Sequence, residues 1–316
     1  MLGALILSSA LATMPEALLF ADEPHSPKTL RCEEAPAPAR TPCLISLRYR
    51  TDAAAAKVAM GLYERTGSIA GLTPVQDFDG GFRGTIRLVP DLPTGPKRKH
   101  LEWVALALDD FDAVLGRLAK DSPPDAPGSQ LRGGAFNYRW RSLEVGFFRS
   151  IDRRTPAAWA VDWGVNYNTN GTLNWGPDIV RELLFHEVFH LNDQAHRGWS
   201  VTALTPLYET IVARCGSKKA CLEPWAPMET TTRGTYYAFL PANGVREYAA
   251  ELASRYYREQ RTLARGGTVV RPFKCRTEEN ARAWALLVDE FFGGVDLVPA
   301  CRERSNIRGR APSEGP

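Results

Sequence analysis

The 316-residue chain has no apolar run approaching the roughly 18–20 residues of a transmembrane helix, which argues against a helical membrane span. It also lacks a strong charge of either sign. Lys and Arg number 39 against 36 Asp and Glu, and a net +3 over this length is too weak a field to argue for nucleic acid. No internal repeat is present. Histidine is scarce, at five residues, and none of the six cysteines forms a C-x-x-C, so a thiolate zinc knuckle is not expected. With 44% hydrophobic and 24% charged residues, what remains is the composition of a globular protein of one large or two small domains.

Residues 2–12 form a mostly apolar stretch ending in Ala10-Leu11-Ala12, a small-x-small pattern, although no Lys or Arg precedes it. Residues 1–21 therefore read as a signal peptide, with a buried N-terminal helix as the alternative. Residues 22–43, containing EEAPAPARTP, read as a Pro-rich extended linker, and polar residues 302–316 as a disordered tail. An even cysteine count beside a signal-like start favours disulfides in an oxidising compartment, hence a secreted or periplasmic protein. Fifteen connectivities are possible. The simplest pairs nearest neighbours: Cys32 with Cys43, Cys215 with Cys221, Cys275 with Cys301. Six reduced, buried thiols in a cytoplasmic enzyme is the other reading.

Between these ends the pattern is α+β. Strands are expected at 44–49, 84–89, 101–108, 138–148 and 159–168, with Asn170-Gly171 as a type I′ turn into 172–175. Helices are expected at 52–66, capped by Thr51 and stopped by Gly67, and at 110–120. Residues 121–134 read as a Pro/Gly-rich loop, and Lys97-Arg98-Lys99-His100 as a solvated basic turn. After Pro177 the periodicity turns helical at 178–194, 206–214, 245–261 and 278–292. A mixed α/β half is followed by a helical half.

Three of the five histidines fall within eleven residues. His186-Glu187-Val188-Phe189-His190 is H-E-x-x-H, a pattern whose chance expectation in this composition is about 0.005. On a helix, residues four apart share a face, so two imidazoles can grip one metal ion. Glu187 lies about 100° round, where it can reach a metal-bound water without being a ligand. Zinc would polarise that water, and Glu187 would take its proton during attack on a carbonyl carbon. A solvated His pair is the bland alternative, but Val180, Leu183, Leu184 and Val188 mark a buried helix, where unpaired charge is costly. Asp193 lies on the His186/His190 face and could orient an imidazole. A third ligand could be His196, spaced as in H-E-x-x-H-x-x-G-x-x-H but with Asp at the Gly position, or Glu247.

H-E-x-x-H-x-x-D followed by Glu247-Tyr248-Ala249-Ala250-Glu251 on a later helix resembles the gluzincin metallopeptidases, particularly those similar to the catalytic domain of anthrax lethal factor. The resemblance spans residues 180–254. It implies a zincin-like fold over 44–301, zinc held by His186, His190 and Glu247, and Glu251 as a supporting acid. It also implies peptide-bond hydrolysis of peptide or protein substrates. Phe189 stands where a small residue is common, and Tyr236 and Tyr237 are the nearest tyrosines before Glu247, with Tyr237 taken as the transition-state donor. Trp163, Asn166 and Tyr167, just upstream of the motif helix, are candidate subsite residues. Two other readings stand beside this one: an inactive secreted binding module that keeps the fold, and a zinc hydrolase of a non-peptide amide.

Overall fold

Apolar side chains at 101, 104, 105, 108, 111, 115 and 118 recur at three- and four-residue steps, and all are buried on one face of a single 23-residue helix. The β-prone reading of 101–108 fails because that period outweighs local strand propensity. The computed structural model describes residues 15–23, 32, 35–79, 84–120, 136–241 and 243–301. Residues 1–14 of the expected signal peptide, the 121–134 loop and the 302–316 tail lie outside the described residues.

In chain order the elements are α1 (Pro15–Leu19), α2 (Ala37–Arg48), α3 (Ala53–Thr66), β1 (Ile69–Leu72), β2 (Gln76–Asp79), β3 (Thr85–Pro90), α4 (Arg98–Lys120), β4 (Glu144–Ser150), β5 (Ala158–Val161) and β6 (Gly164–Asn168). They continue with α5 (Pro177–Ala195), α6 (Trp199–Cys215), the short α7 (Lys219–Leu222), the ribbon β7 (Thr231–Thr232) and β8 (Thr235–Tyr236), α8 (Gly244–Ala264) and α9 (Glu278–Phe291). The class is α+β, mixed first and helical later, as expected.

The sheet is built around β4. On one side β4 runs parallel to β6; on the other it pairs parallel with β1 and, further along, antiparallel with β3, which carries β2. β5 pairs antiparallel with β6 and is an edge strand, next to α5. The expected strand over 159–168 is thus a hairpin. Its turn residues Asp162 and Trp163 both have positive φ, and the Arg139 guanidinium lies 4.1 Å from the centroid of the Trp163 ring. The strand expected at 172–175 does not form. Asn174 Nδ2 donates to the carbonyls of Ala157 and Asn168, closing a compact loop that feeds α5.

Several N-terminal expectations are corrected. Residues 44–49 belong to α2 and its cap, because Leu44, Ile45 and Tyr49 are fully buried at helical spacing and the Tyr49 hydroxyl donates to Ala70 O. Pro38 sits in the first turn of α2, where a missing N–H costs nothing, so the Pro-rich stretch is partly helical rather than an extended linker. Leu19 and Phe20 are buried, and Glu16 pairs with Arg40. Residues 15–20 are thus packed against the body, and a boundary at 21 would remove them. In α3, Asp52 rather than Thr51 is the N-cap, accepting from Ala55 N, while Gly67 closes the helix at φ +70 as expected. Residues 97–100 enter a helix instead of a solvated turn: Lys97 pairs with Asp91, Arg98 with Asp52, and His100 is buried against the Tyr167 hydroxyl. Only residues from 144 onward of the 138–148 stretch are strand, since Tyr138 leaves the sheet to stack on Phe185 and Phe292.

The three nearest-neighbour disulfides are present: Cys32–Cys43, Cys215–Cys221 and Cys275–Cys301. No described helix is long and apolar enough to cross a membrane.

Asp110 on α4 locks the helical half together. Its carboxylate faces Arg181 of α5 at 3.4 Å, accepts from the Tyr257 hydroxyl of α8 at 2.6 Å, and pairs with Arg261 and Arg265 at the end of α8. Asp110→Ala should cost about 3 kcal/mol in chemical denaturation, the low end for breaking a buried pair, because Arg261 and Arg265 partly reach solvent. A loss below about 1 kcal/mol would show that the cluster does not hold these helices.

Candidate metal centre

The rotation of α5 is set by what it buries. Pro177 starts the helix, and Val180, Leu184, Phe185 and Val188 are all sunk in the core. His186, Glu187 and His190 are left lining a cleft. One turn apart, His186 and His190 bring their Nε2 atoms to 3.1 Å. Opposite them, Gly244 opens α8 at φ +74, and Glu247 follows in its first turn. Glu247 Oε2 stands 3.0 Å from His186 Nε2, and Oε1 stands 3.5 Å from His190 Nε2.

These separations test the fit of a metal. Donors on a tetrahedral ion with bonds of about 2.0–2.1 Å stand about 3.3–3.4 Å apart. Values of 3.0, 3.1 and 3.5 Å straddle that edge length, and two imidazoles with one carboxylate are a donor set zinc accepts. Among the described residues this is the group of three His, Cys, Asp or Glu whose ligating atoms fall within 4.8 Å of one another. His196, the rival third donor, is elsewhere: its Nδ1 lies 2.6 Å from Glu290 Oε1, and its ring packs on Phe291.

The local field is negative. Burial opposes ionisation of Glu247, but the two imidazoles beside it outweigh burial and hold its carboxyl well below the usual range. Burial also works against a charged His190, yet Glu247, Glu187 and Asp193 together keep it above its ordinary value. A field that favours a proton there also favours a dication. Glu187 is 8% exposed, and burial pushes its carboxyl up while His186 and His190 pull it down.

Tyr237 is held by backbone bonds on both sides: its N–H donates to Thr230 O, and its carbonyl accepts from Asn243 Nδ2. Its ring lies 6.1 Å from His186, and burial followed by Glu247 and Glu187 drives the phenol far up, so it stays a neutral donor. Asp193 makes no hydrogen bond to an imidazole, although its charge acts on His190. Both its oxygens accept from Ser200, one from the backbone N–H and one from the hydroxyl, which caps the start of α6. Glu251, one turn beyond Glu247, touches neither histidine by a hydrogen bond. Burial and then Glu247 push its carboxyl up to about 8, with Thr230 pulling the other way, and Oε2 has no partner among the described residues.

Two lobes meet at His186, Glu187 and Tyr237. One, of about 650 Å³, is bounded by Ala158, Trp159 and Ala160 of the edge strand and by Arg197 and Arg246. The other, of about 770 Å³, runs past Ile179, Leu183 and Met228 to Glu251. Trp163, Asn166 and Tyr167 line neither lobe: Trp163 is at the far hairpin turn, Asn166 faces Thr73, and Tyr167 is buried on His100. Alternation along β5 and β6 could not reveal which strand of an unrecognised hairpin forms the edge. Arg197, Arg246 and Thr230 carry no motif, and only the fold brings them here.

Zinc competition titration distinguishes the two donor sets. Glu247→Ala is expected to weaken zinc binding by more than the roughly 10–100-fold typical of a supporting residue, while His196→Ala leaves it within about twofold. Retained affinity in Glu247→Ala would remove Glu247 from the donor set. Comparison of the chain with protein-family models, with curated proteins and with solved structures finds no match in any of the three.

Proposed function

We propose that the protein is a zinc-dependent endopeptidase of the gluzincin type with a zincin-like fold, working in an oxidising compartment outside the cytoplasm. The observation that carries the reading is the convergence of His186, His190 and Glu247 on one point, with the buried Glu187 carboxyl beside them at the junction of two lobes. His186, His190 and Glu247 would hold the ion. Zinc bound by three such donors lowers the pKa of a water to about 7 and polarises a carbonyl oxygen.

The remaining work falls to the chain. Glu187 receives a proton at its carboxylate from water entering between the lobes, and can pass it to the departing amine nitrogen. Burial suits it to that cycle by narrowing the gap between its acid and base forms. The Tyr237 hydroxyl, kept neutral, is a donor for the charge that develops on a carbonyl oxygen. β5, paired on one side only among the described strands, offers its outer edge to an extended peptide. This supports a peptide substrate over a compact non-peptide amide.

Two measurements bear on the proposal. Glu187→Gln preserves shape and the three donors, so zinc content should stay near one per chain while hydrolysis of an unfolded protein substrate drops by about 10²–10⁴-fold. Near-normal turnover would eliminate Glu187 as the base. Thiol labelling of exported protein, denatured without reductant, should find no reactive cysteine, in keeping with the three disulfides. Six labelled thiols would remove the oxidising compartment.

A further inference from the structure

The larger lobe has a composition that peptide hydrolysis does not by itself require. Its lining includes apolar Ile179 and Leu183 of α5 together with Met228. Its lining also includes Glu251, a residue only 4% exposed. Glu251 Oε2 has no hydrogen-bond partner among the described residues. A buried acceptor without a partner is costly, and natural proteins retain few of them. The neighbouring cation does not resolve it, because Arg258 is already committed to Glu182 and Glu229.

We infer that this lobe is a specificity pocket for a long basic side chain, lysine or arginine, of the peptide bound at the metal centre, with Glu251 as the residue that selects it. The inference rests on the peptidase reading. An apolar stem lies along Ile179, Leu183 and Met228, and the terminal donor reaches Oε2. The entering cation supplies the countercharge that burial denies Glu251. A purely aliphatic side chain fills the same walls but leaves the acceptor unpaired, and an acidic one meets like charge. Arg153 and Arg154 also border the lobe, but both are exposed and water screens them, whereas Glu251 acts in the dry interior. Glu251 thus has a role distinct from supporting a histidine, to which it makes no hydrogen bond.

Binding and cleavage test it separately. Blocked lysine and blocked norleucine, which share a four-carbon stem, are titrated into the wild-type protein with and without zinc by NMR. Lysine should bind on the order of 10–100-fold more tightly, the scale of a hydrogen bond between charged groups, with shifts confined to residues of this lobe. Glu251→Gln should abolish most of that difference while zinc content and thermal midpoint report whether the variant is intact. Equal binding of the two probes, or no binding of either, overturns the pocket without recourse to any variant. Cleavage of a mixed peptide library completes the separation. Hydrolysis with no preference for a basic residue next to the cut site removes the pocket and leaves the peptidase. Lysine binding that depends on Glu251 in a protein that cleaves nothing removes the peptidase and leaves a pocket for basic side chains.

Discussion

Everything at the candidate centre depends on how closely α5 and α8 cross. The three donors come from two helices, His186 and Glu247 standing 61 positions apart in the chain, and a glutamate side chain is short. The helix backbones must therefore approach closely, and the small residues on the Glu247 face of α8 allow it: Ala250 and Ser254 are buried and add little bulk. Further along, larger residues take over. Phe185 stacks on Tyr257 at 4.3 Å, and Tyr138 stacks on the other side of Phe185. Asp110 then gathers Arg181, Tyr257, Arg261 and Arg265 from α5 and the far end of α8. Small residues near the donors and a charged clamp far from them fix the crossing at two points, and two points define an angle.

That geometry concentrates negative charge in a dry place. Glu187, Glu247 and Glu251 lie within two turns of two adjoining helices, and burial pushes against ionisation of each. The imbalance is resolved differently at each position. Glu247 ionises because two imidazoles face it; Glu187 is raised, with the same imidazoles pulling only partly against burial; Glu251 is raised to about 8 and has an oxygen without a partner. On the proposed reading, three identical side chains would serve as ligand, base and selector through their surroundings alone. A fold selected for stability alone would place apolar residues at such positions, so the retained acids point to chemistry.

How much of this was legible in the sequence follows from the range of the forces involved. H-E-x-x-H is a local pattern on one helix face, so His186, Glu187 and His190 could be read without a fold. Glu247 was legible only through the resemblance of residues 247–251 to the second gluzincin motif; the structure brings it beside His186 and His190 and leaves His196 past the end of α5 with Glu290. The disulfides were legible because each links sequence neighbours. The errors fall where tertiary contacts override local preference. Leu101 and Val104 favour strand individually but share a buried helical face; Trp163 takes a left-handed turn under Arg139; Asn174 captures two carbonyls that a hairpin would have used. Asp193 was misread for a related reason. Its place on the histidine face is correct, but the start of α6 brings Ser200 to both of its oxygens.

The disulfides and the centre divide the stabilising work in space. None of the six bridging cysteines lies on α5 or α8. Cys215–Cys221 closes the end of α6, Cys275–Cys301 ties the segment before α9 to the chain after it, and Cys32–Cys43 holds the start of α2. Closing loops of 6 to 26 residues constrains the unfolded chain by about 2–4 kcal/mol each, whatever the sequence between. Such stabilisation acts on the unfolded state and needs no particular packing at the cleft. The cleft is thereby free to keep what a stability-driven core would discard: a carboxyl without a partner, a crowd of like charges, and an edge strand left open.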